Sequence, residues 1–216
     1  MQPFSDELDL PGVAPSRQKR SRETTLALLK AGAEMLRTRS LAELSIESLC
    51  AEVGATVGAF YSRFESKDAY FNALMALAIR DSERRVSEMA ADTSGRASDL
   101  GSRCRQLVGG IIGWMRAHEG VLRAALRHDD NRPDQWTPFK QLARANTERA
   151  TPLLLPAMGK GRRAAKTRTI AFGFQAVLGT LINAILNDPG PLSLHDRELK
   201  ERLSNLLQQL LEAEMR

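Results

Sequence analysis

The stretch Ser45-Ile46-Glu47-Ser48-Leu49-Cys50-Ala51-Glu52-Val53-Gly54-Ala55-Thr56-Val57-Gly58-Ala59-Phe60-Tyr61-Ser62-Arg63-Phe64-Glu65-Ser66-Lys67-Asp68 decides how the rest of the chain is read. Ser45 is a helix cap: its hydroxyl can take an N–H that the first helical turn leaves open. The helix it opens places Ile46, Leu49, Cys50 and Val53 on one side. Gly54 stops it, because glycine accepts the left-handed conformation favoured just past a helix end. Thr56 then caps a short helix running to Phe64, and Ser66 caps a longer one holding Phe71, Leu74, Met75, Ala78 and Met89. A short helix, a tight glycine-containing turn and a second short helix is the helix-turn-helix pattern.

The second helix of such a pair must carry apolar anchors inside and small or polar residues outside, since a major groove admits one helix. Phe60 and Phe64, four apart, share the inward face. Val57, Gly58, Ala59, Ser62 and Arg63 are left to face out or flank. Gly58 in so short a helix costs about 1 kcal/mol against alanine. That cost is tolerable where the backbone must approach something closely, and DNA qualifies.

Upstream, Ser21 and Glu23 suit the start of a first helix, with Leu26, Leu29, Ala33 and Leu36 as its apolar stripe and an end near Arg39. Arg17, Lys19, Arg20 and Arg22 crowd into six residues just before and within it. Such a run is commonly a solvated terminus. Placed directly before a helix-turn-helix, it reads as an arm for DNA phosphates. The preceding tail, 1–16, has Pro3, Pro11 and Pro15 and is expected to be mobile.

Downstream the pattern is helical throughout. Leu100, Cys104, Leu107, Val108, Ile111 and Met115 repeat at helical spacing, and short helices are expected from Val121 to Arg127 and from about Pro138 to Leu155. A turn is expected at Asp129–Pro133. Two long helices close the chain, at about 162–187 and 195–215, joined by Asp188-Pro189-Gly190-Pro191. The expected fold is all-α, with about nine helices: an N-terminal three-helix helix-turn-helix domain and a C-terminal helical bundle. The domain reading is a tail at 1–16, a DNA-binding domain at 17–66 and an effector-binding and dimerisation domain at 67–216.

The quoted stretch, with the helix that begins at Arg22, resembles the DNA-binding segment of the TetR family of transcriptional regulators. The spacing Gly-x-x-x-Gly-x-x-Tyr-x-x-Phe-x-Ser-Lys-Asp, from Gly54 to Asp68, is long and specific, and the resemblance covers about residues 22–75. It implies that Ser45 and Thr56 meet DNA phosphates. It implies that the Tyr61 hydroxyl reaches a phosphate and that Val57, Ala59 and Ser62 occupy base-reading positions. Lys67 matches a lysine that faces the DNA backbone; by its residue type alone it reads equally well as solvated surface. Helix N-termini offer free N–H groups to phosphate, and such contacts position a protein without specifying sequence. The chain departs from the family where Val57 replaces a residue that is often lysine or polar. Valine cannot bond a guanine edge but packs on a thymine methyl. Arg63 stands where an aromatic is common and supplies a charge instead.

The last two helices are more apolar than a one-sided surface helix needs. Phe174, Val177, Leu178, Leu181, Ile182 and Ile185 on one, and Leu203, Leu206 and Leu210 on the other, are the expected dimer interface. They form a four-helix bundle from two copies, or else pack within their own domain. A palindromic DNA site requires a two-fold protein, and the resembled family dimerises in this way. In the middle helices Gly109, Gly110 and Gly113 leave room for a ligand, permit a kink, or let another helix approach. Trp114, Met115, His118, Trp136, Phe139 and Phe172 are candidate walls of a pocket for a hydrophobic effector.

Composition sets limits on other functions. The net charge is +5, yet residues 1–75 hold nine Lys or Arg against ten Asp or Glu, so positive charge near the helix-turn-helix is local. Two cysteines are too few for a disulfide framework, which points to a reducing cytoplasm. No secretory h-region opens the chain, and the apolar run Ile170–Leu186 is interrupted by Gln175, Thr180 and Asn183, so no membrane is expected. His118, His128 and His195 lie at no metal-ligand spacing, and no nucleophile elbow or phosphate loop is present, so neither catalysis, metal nor cofactor is expected. The functional expectation is a repressor, released from a palindromic double-stranded operator by a small hydrophobic effector.

Overall fold

Three hydroxyl side chains set the register of the N-terminal helices. Ser45 accepts from the Ser48 N–H, Thr56 from Ala59 and Ser66 from Ala69, each at 3.0 Å. Each satisfies a donor that the first turn of a helix cannot pair internally. The helices of this computed structural model are α1 (Lys19–Met35), α2 (Ile46–Val53), α3 (Val57–Tyr61), α4 (Lys67–Asp92), α5 (Leu100–Ala117), α6 (Glu119–Arg127), α7 (Thr137–Leu154), α8 (Arg163–Asn187) and α9 (Arg197–Ala213). A 3-10 turn over Leu155–Met158 follows α7. The structure describes residues 10–14, 19–92, 99–127 and 136–215. Among these, the only extended pairing is a bridge between Val13 and Phe64.

The chain divides into two compact units. One holds α1–α3, α4 as far as Ser82, and α6; the other holds α4 from Glu83, α5 and α7–α9. This division falls within α4, after Ser82, whereas the sequence reading sets a boundary at residue 66. The first part of α4 and all of α6 supply buried side chains to the helix-turn-helix unit, among them Phe71, Leu74, Val121 and Leu122.

In the first unit, Phe60, Phe64 and Tyr70 pack with ring centroids 4.9–5.3 Å apart and no exposed surface. Each such buried aromatic or leucine contributes about 1.5–3 kcal/mol. The α1 stripe differs from expectation. It runs through Thr25, Leu28, Leu29 and Gly32, with Leu26 and Ala33 at its margin, because α1 turns the bare face of Gly32 toward Tyr70. Ser21 caps nothing, since α1 already begins at Lys19. Nor does α3 continue to Phe64. It ends at Tyr61 and a turn delivers Phe64, whose N–H still reaches the Phe60 carbonyl at 3.0 Å. Between α5 and α6, His118 pairs with Asp81 at 2.9 Å, both buried.

Residues 10–14 are not a free tail. Leu10 is buried, and the Ala14 N–H donates to the Arg63 carbonyl at 2.8 Å. The apolar side chains Leu10 and Val13 anchor a segment whose prolines suggest a solvated coil. The remaining tail residues and the expected turn at 129–133 lie outside the described residues.

In the second unit, α9 lies against α5 and α8, and α7 packs on both α5 and α8. Gly173 lets α8 and α9 close together: a Cβ there would stand 2.6 Å from a Leu207 methyl. The glycines of α5 serve close approach at two positions, with Gly109 beneath the Lys200 stem and Gly110 beneath the Met89 methyl. Gly113 faces open space. By length and apolar composition α8 could cross a bilayer, but its inward side is packed core. Phe174, Val177, Leu181 and Ile185 of α8 and Leu203 of α9 are buried within this unit. That corrects their assignment to a dimer face, since an all-round apolar helix must first cover its own core. Leu178, Ile182, Leu206 and Leu210 keep exposed surface.

Candidate nucleic-acid interface

The turn between α2 and α3 is built on Gly54 at φ 65°, ψ 29°, a left-handed conformation that costs a residue with a Cβ about 1–2 kcal/mol. It lets the Gly54 and Ala55 N–H groups close on the Ala51 and Cys50 carbonyls. The chain then reverses into the Thr56 cap. The Cys50 thiol lies 3.5 Å from the Thr56 carbonyl, and burial raises its pKa, so it serves as packing.

This geometry sorts α3 into two faces. Phe60 is wholly buried, while Val57 is 36% and Tyr61 53% exposed, with Gly58 and Ser62 exposed beside them and Ala59 half-buried. The Tyr61 ring meets Phe60 edge-on at 5.2 Å, which steadies it without covering it. At Gly58 an added Cβ would meet only the Thr56 hydroxyl, 3.9 Å away. Nothing inside the fold requires glycine there.

An open groove of about 620 Å³ joins the start of α1 to this surface, lined by Arg20, Ser21 and Thr24 of α1, by the Gly54–Thr56 turn, and by Ala59, Ser62 and Arg63. Lys19 and Arg22, beside Arg20 in α1, are exposed, and Glu23 adds one carboxylate to the lining. Arg17 lies outside the described residues. A short apolar and hydroxyl-bearing stripe, flanked by cations, is the composition of a surface that reads a groove and grips phosphates.

Three expected contacts are already engaged within the protein. Ser45 Oγ donates to Ser48 Oγ at 2.7 Å, which brings Ser48 into the site although nothing but its position on the first turn of α2 marked it. Lys67 Nζ donates to the Ala42 carbonyl at 3.2 Å, and desolvation lowers its pKa against the pull of Asp68. The Arg63 guanidinium reaches across to Ser21 of α1, an anchor whose residue type suggests only a cap.

The candidate effector residues do not form one set. His118 and Trp136 belong to the first unit, Trp114, Met115, Phe139 and Phe172 to the second. Trp114 and Phe139 pack at 6.3 Å and are buried with Met115, whereas Phe172 is 58% exposed on α8 and lines no interior. His118 is taken up by Asp81. Among the described residues, no three His, Cys, Asp or Glu side chains are placed to hold a metal ion.

The α2–turn–α3 geometry and the exposed stripe of α3 are those of a helix-turn-helix unit. Residues 28–74 match the family of bacterial regulatory proteins, tetR family. The chain's fold is that of a transcriptional regulator from Cytophaga hutchinsonii ATCC 33406, which is 13% identical, with a TM-score of 0.63 over 89% of this chain and 96% of that one. A gamma-butyrolactone receptor (ArpA-like protein) is 19% identical, with a TM-score of 0.51 over 89% of this chain and 98% of that one. No curated protein matches the sequence.

Proposed function

We propose that the protein is a cytoplasmic homodimeric repressor that holds a palindromic DNA operator through two copies of α3 and releases it on binding a small hydrophobic effector. The observation that carries this reading is the outward stripe of α3: Val57, Gly58, Tyr61 and Ser62 exposed together, over a helix start capped by Thr56. Val57, Ala59 and Ser62 read base edges, with Val57 on a thymine methyl. Tyr61 and the hydroxyls of Ser45 and Thr56 meet phosphates, and Lys19, Arg20 and Arg22 add salt-sensitive affinity.

A two-fold operator places half-sites about one helical turn apart, roughly 34–36 Å, so two protomers must be held at fixed spacing. The uncovered side of α8 and α9, with Leu178, Ile182, Leu206 and Leu210, is the surface for that pairing. The aromatic cluster of Trp114, Met115 and Phe139, beside the open space at Gly113, is where an apolar effector would bind. A receptor for a gamma-butyrolactone among the proteins of similar fold supports a small-molecule ligand. The effector would favour a dimer whose recognition helices no longer match the half-site spacing. The regulator itself carries out no reaction in this scheme.

The test is selection of genomic fragments by the purified protein at physiological salt, followed by footprinting. A short palindrome should be recovered. Tyr61→Phe should weaken binding to all sequences alike, while changes at Ala59 or Ser62 alter the preferred sequence. Salt-sensitive binding with no preferred sequence would overturn the operator reading.

A further inference from the structure

Arg63 is held at both ends. Its carbonyl accepts the Ala14 N–H at 2.8 Å. Its guanidinium crosses to the first turn of α1, where Nη2 donates to Ser21 Oγ at 3.1 Å and Nε to the Ser21 carbonyl at 3.4 Å. Nη1 turns back on α3, donating to the Ala59 carbonyl at 2.5 Å and to Ser62 Oγ at 3.1 Å. All three guanidinium nitrogens thus have acceptors inside the unit. To reach a phosphate, the side chain would have to give up bonds that a rigid planar fork satisfies together. Immediately before Ser21 stand Lys19 and Arg20, both exposed. The described chain on each side of the basic arm, at Ala14 and at Ser21, is therefore tied to one residue at the C-terminal end of the recognition helix.

We propose that Arg63 is a positioning residue for DNA recognition: it fixes the basic start of α1 against α3, so that arm and reading face meet one duplex in register, and it does not itself touch DNA. The proposal rests on the DNA-binding reading above. An unanchored arm loses conformational freedom on binding, and that loss subtracts from affinity. Tied through Arg63, the start of α1 has already lost it, and Lys19 and Arg20 stand on a helix held to the residue that follows Ser62. Residue 63 then sets affinity and register while contributing no phosphate contact of its own.

Two measurements test this. The first is hydrogen exchange in the DNA-free protein, with Ala14, whose partner is the main-chain carbonyl of residue 63, as the reference, following amides in the first turns of α1. Arg63→Met, which keeps the apolar stem, should raise exchange there about tenfold, as expected for losing a hydrogen bond from a charged group. Arg63→Lys, which can still reach the Ser21 carbonyl, should restore part of the protection. The second is binding to a fluorescent mixed-sequence duplex over a range of salt. In the natural protein, Lys19→Gln with Arg20→Gln should weaken binding and flatten the salt dependence by about 0.9 per lost phosphate contact. In the Arg63→Met background the same pair of changes should cost much less. An equal cost in both backgrounds, with exchange unaltered by Arg63→Met, makes Arg63 an independent phosphate contact and overturns the proposal. Absence of duplex binding in every variant overturns the DNA-binding reading and this role with it, whereas additivity overturns the role alone.

Discussion

The Tyr70 hydroxyl donates to the Leu28 carbonyl at 2.7 Å across the bare face of Gly32, where a Cβ would stand 1.7 Å from the Tyr70 hydroxyl oxygen. Through this contact α4 is seated on α1, and α3 is seated on both by the packing of Phe60 and Phe64 around the Tyr70 ring. Gly32→Ala should therefore destabilise the protein, although alanine is the better helix former by about 1 kcal/mol. Displacing a fully buried, hydrogen-bonded tyrosine is overpacking, which costs about 1–3 kcal/mol. Tyr70→Phe, introduced with Gly32→Ala, should recover part of the loss. Thermal melts of the two single variants and the double variant check this; additive losses would show that the two residues do not share the contact.

The turn of the helix-turn-helix depends on backbone conformation rather than on packing. Gly54 has φ 65°, and a Cβ added there would meet no atom within 4 Å. Gly54→Ala should cost about 1–2 kcal/mol, all of it from the left-handed backbone, and Gly54→Asn should cost less. Thr56→Ala should cost about 1 kcal/mol by uncapping α3. Urea titrations give the stabilities, and duplex binding should fall in both alanine variants. A Gly54→Asn variant as unstable as Gly54→Ala would point to a steric cause instead.

The two sides of the C-terminal helices should respond differently to charge. Leu206 is 48% exposed, whereas Leu203 is 5% exposed. Ile182→Arg and Leu206→Arg should yield folded monomers in sedimentation equilibrium with unchanged circular dichroism. Leu203→Arg should lose the fold, because burying an unpaired charge costs several kcal/mol. A dimer that survives both surface changes would move the interface elsewhere.

Alkali should unfold the protein through its buried acids. Burial, reinforced by the Glu212 carboxylate, pushes the Cys104 thiol from 9.0 up to about 12. Below the lower value the thiol is protonated in folded and unfolded chains alike. Between the two, the unfolded chain releases the proton and the folded chain holds it, so stability falls as pH rises through that window. Burial raises Tyr70 in the same direction. The melting temperature should drop from about pH 9 upward, and Cys104→Ala should make that drop shallower. An unchanged slope in Cys104→Ala would remove the thiol from this account.

Most of the helical pattern and the exposed stripe of α3 were legible in the amino-acid order because they rest on local physics. Capping by Ser45, Thr56 and Ser66, reversal at Gly54 and the inward pairing of Phe60 with Phe64 involve partners within a few residues. The arm was legible as charge, though not as geometry. Two apolar residues, Leu10 and Val13, were the available sign that residues 10–14 pack.

What only the tertiary structure decided concerns partners far apart in sequence. Which face of α1 turns inward depends on Tyr70 meeting Gly32. Whether Arg63 is a free cation depends on Ser21, and whether Phe174 or Leu203 faces a partner protomer depends on which side of α8 and α9 their own unit covers first. Periodicity places residues on a common helical face but says nothing of what that face meets. That is settled by long-range packing, whose pairings no local spacing encodes.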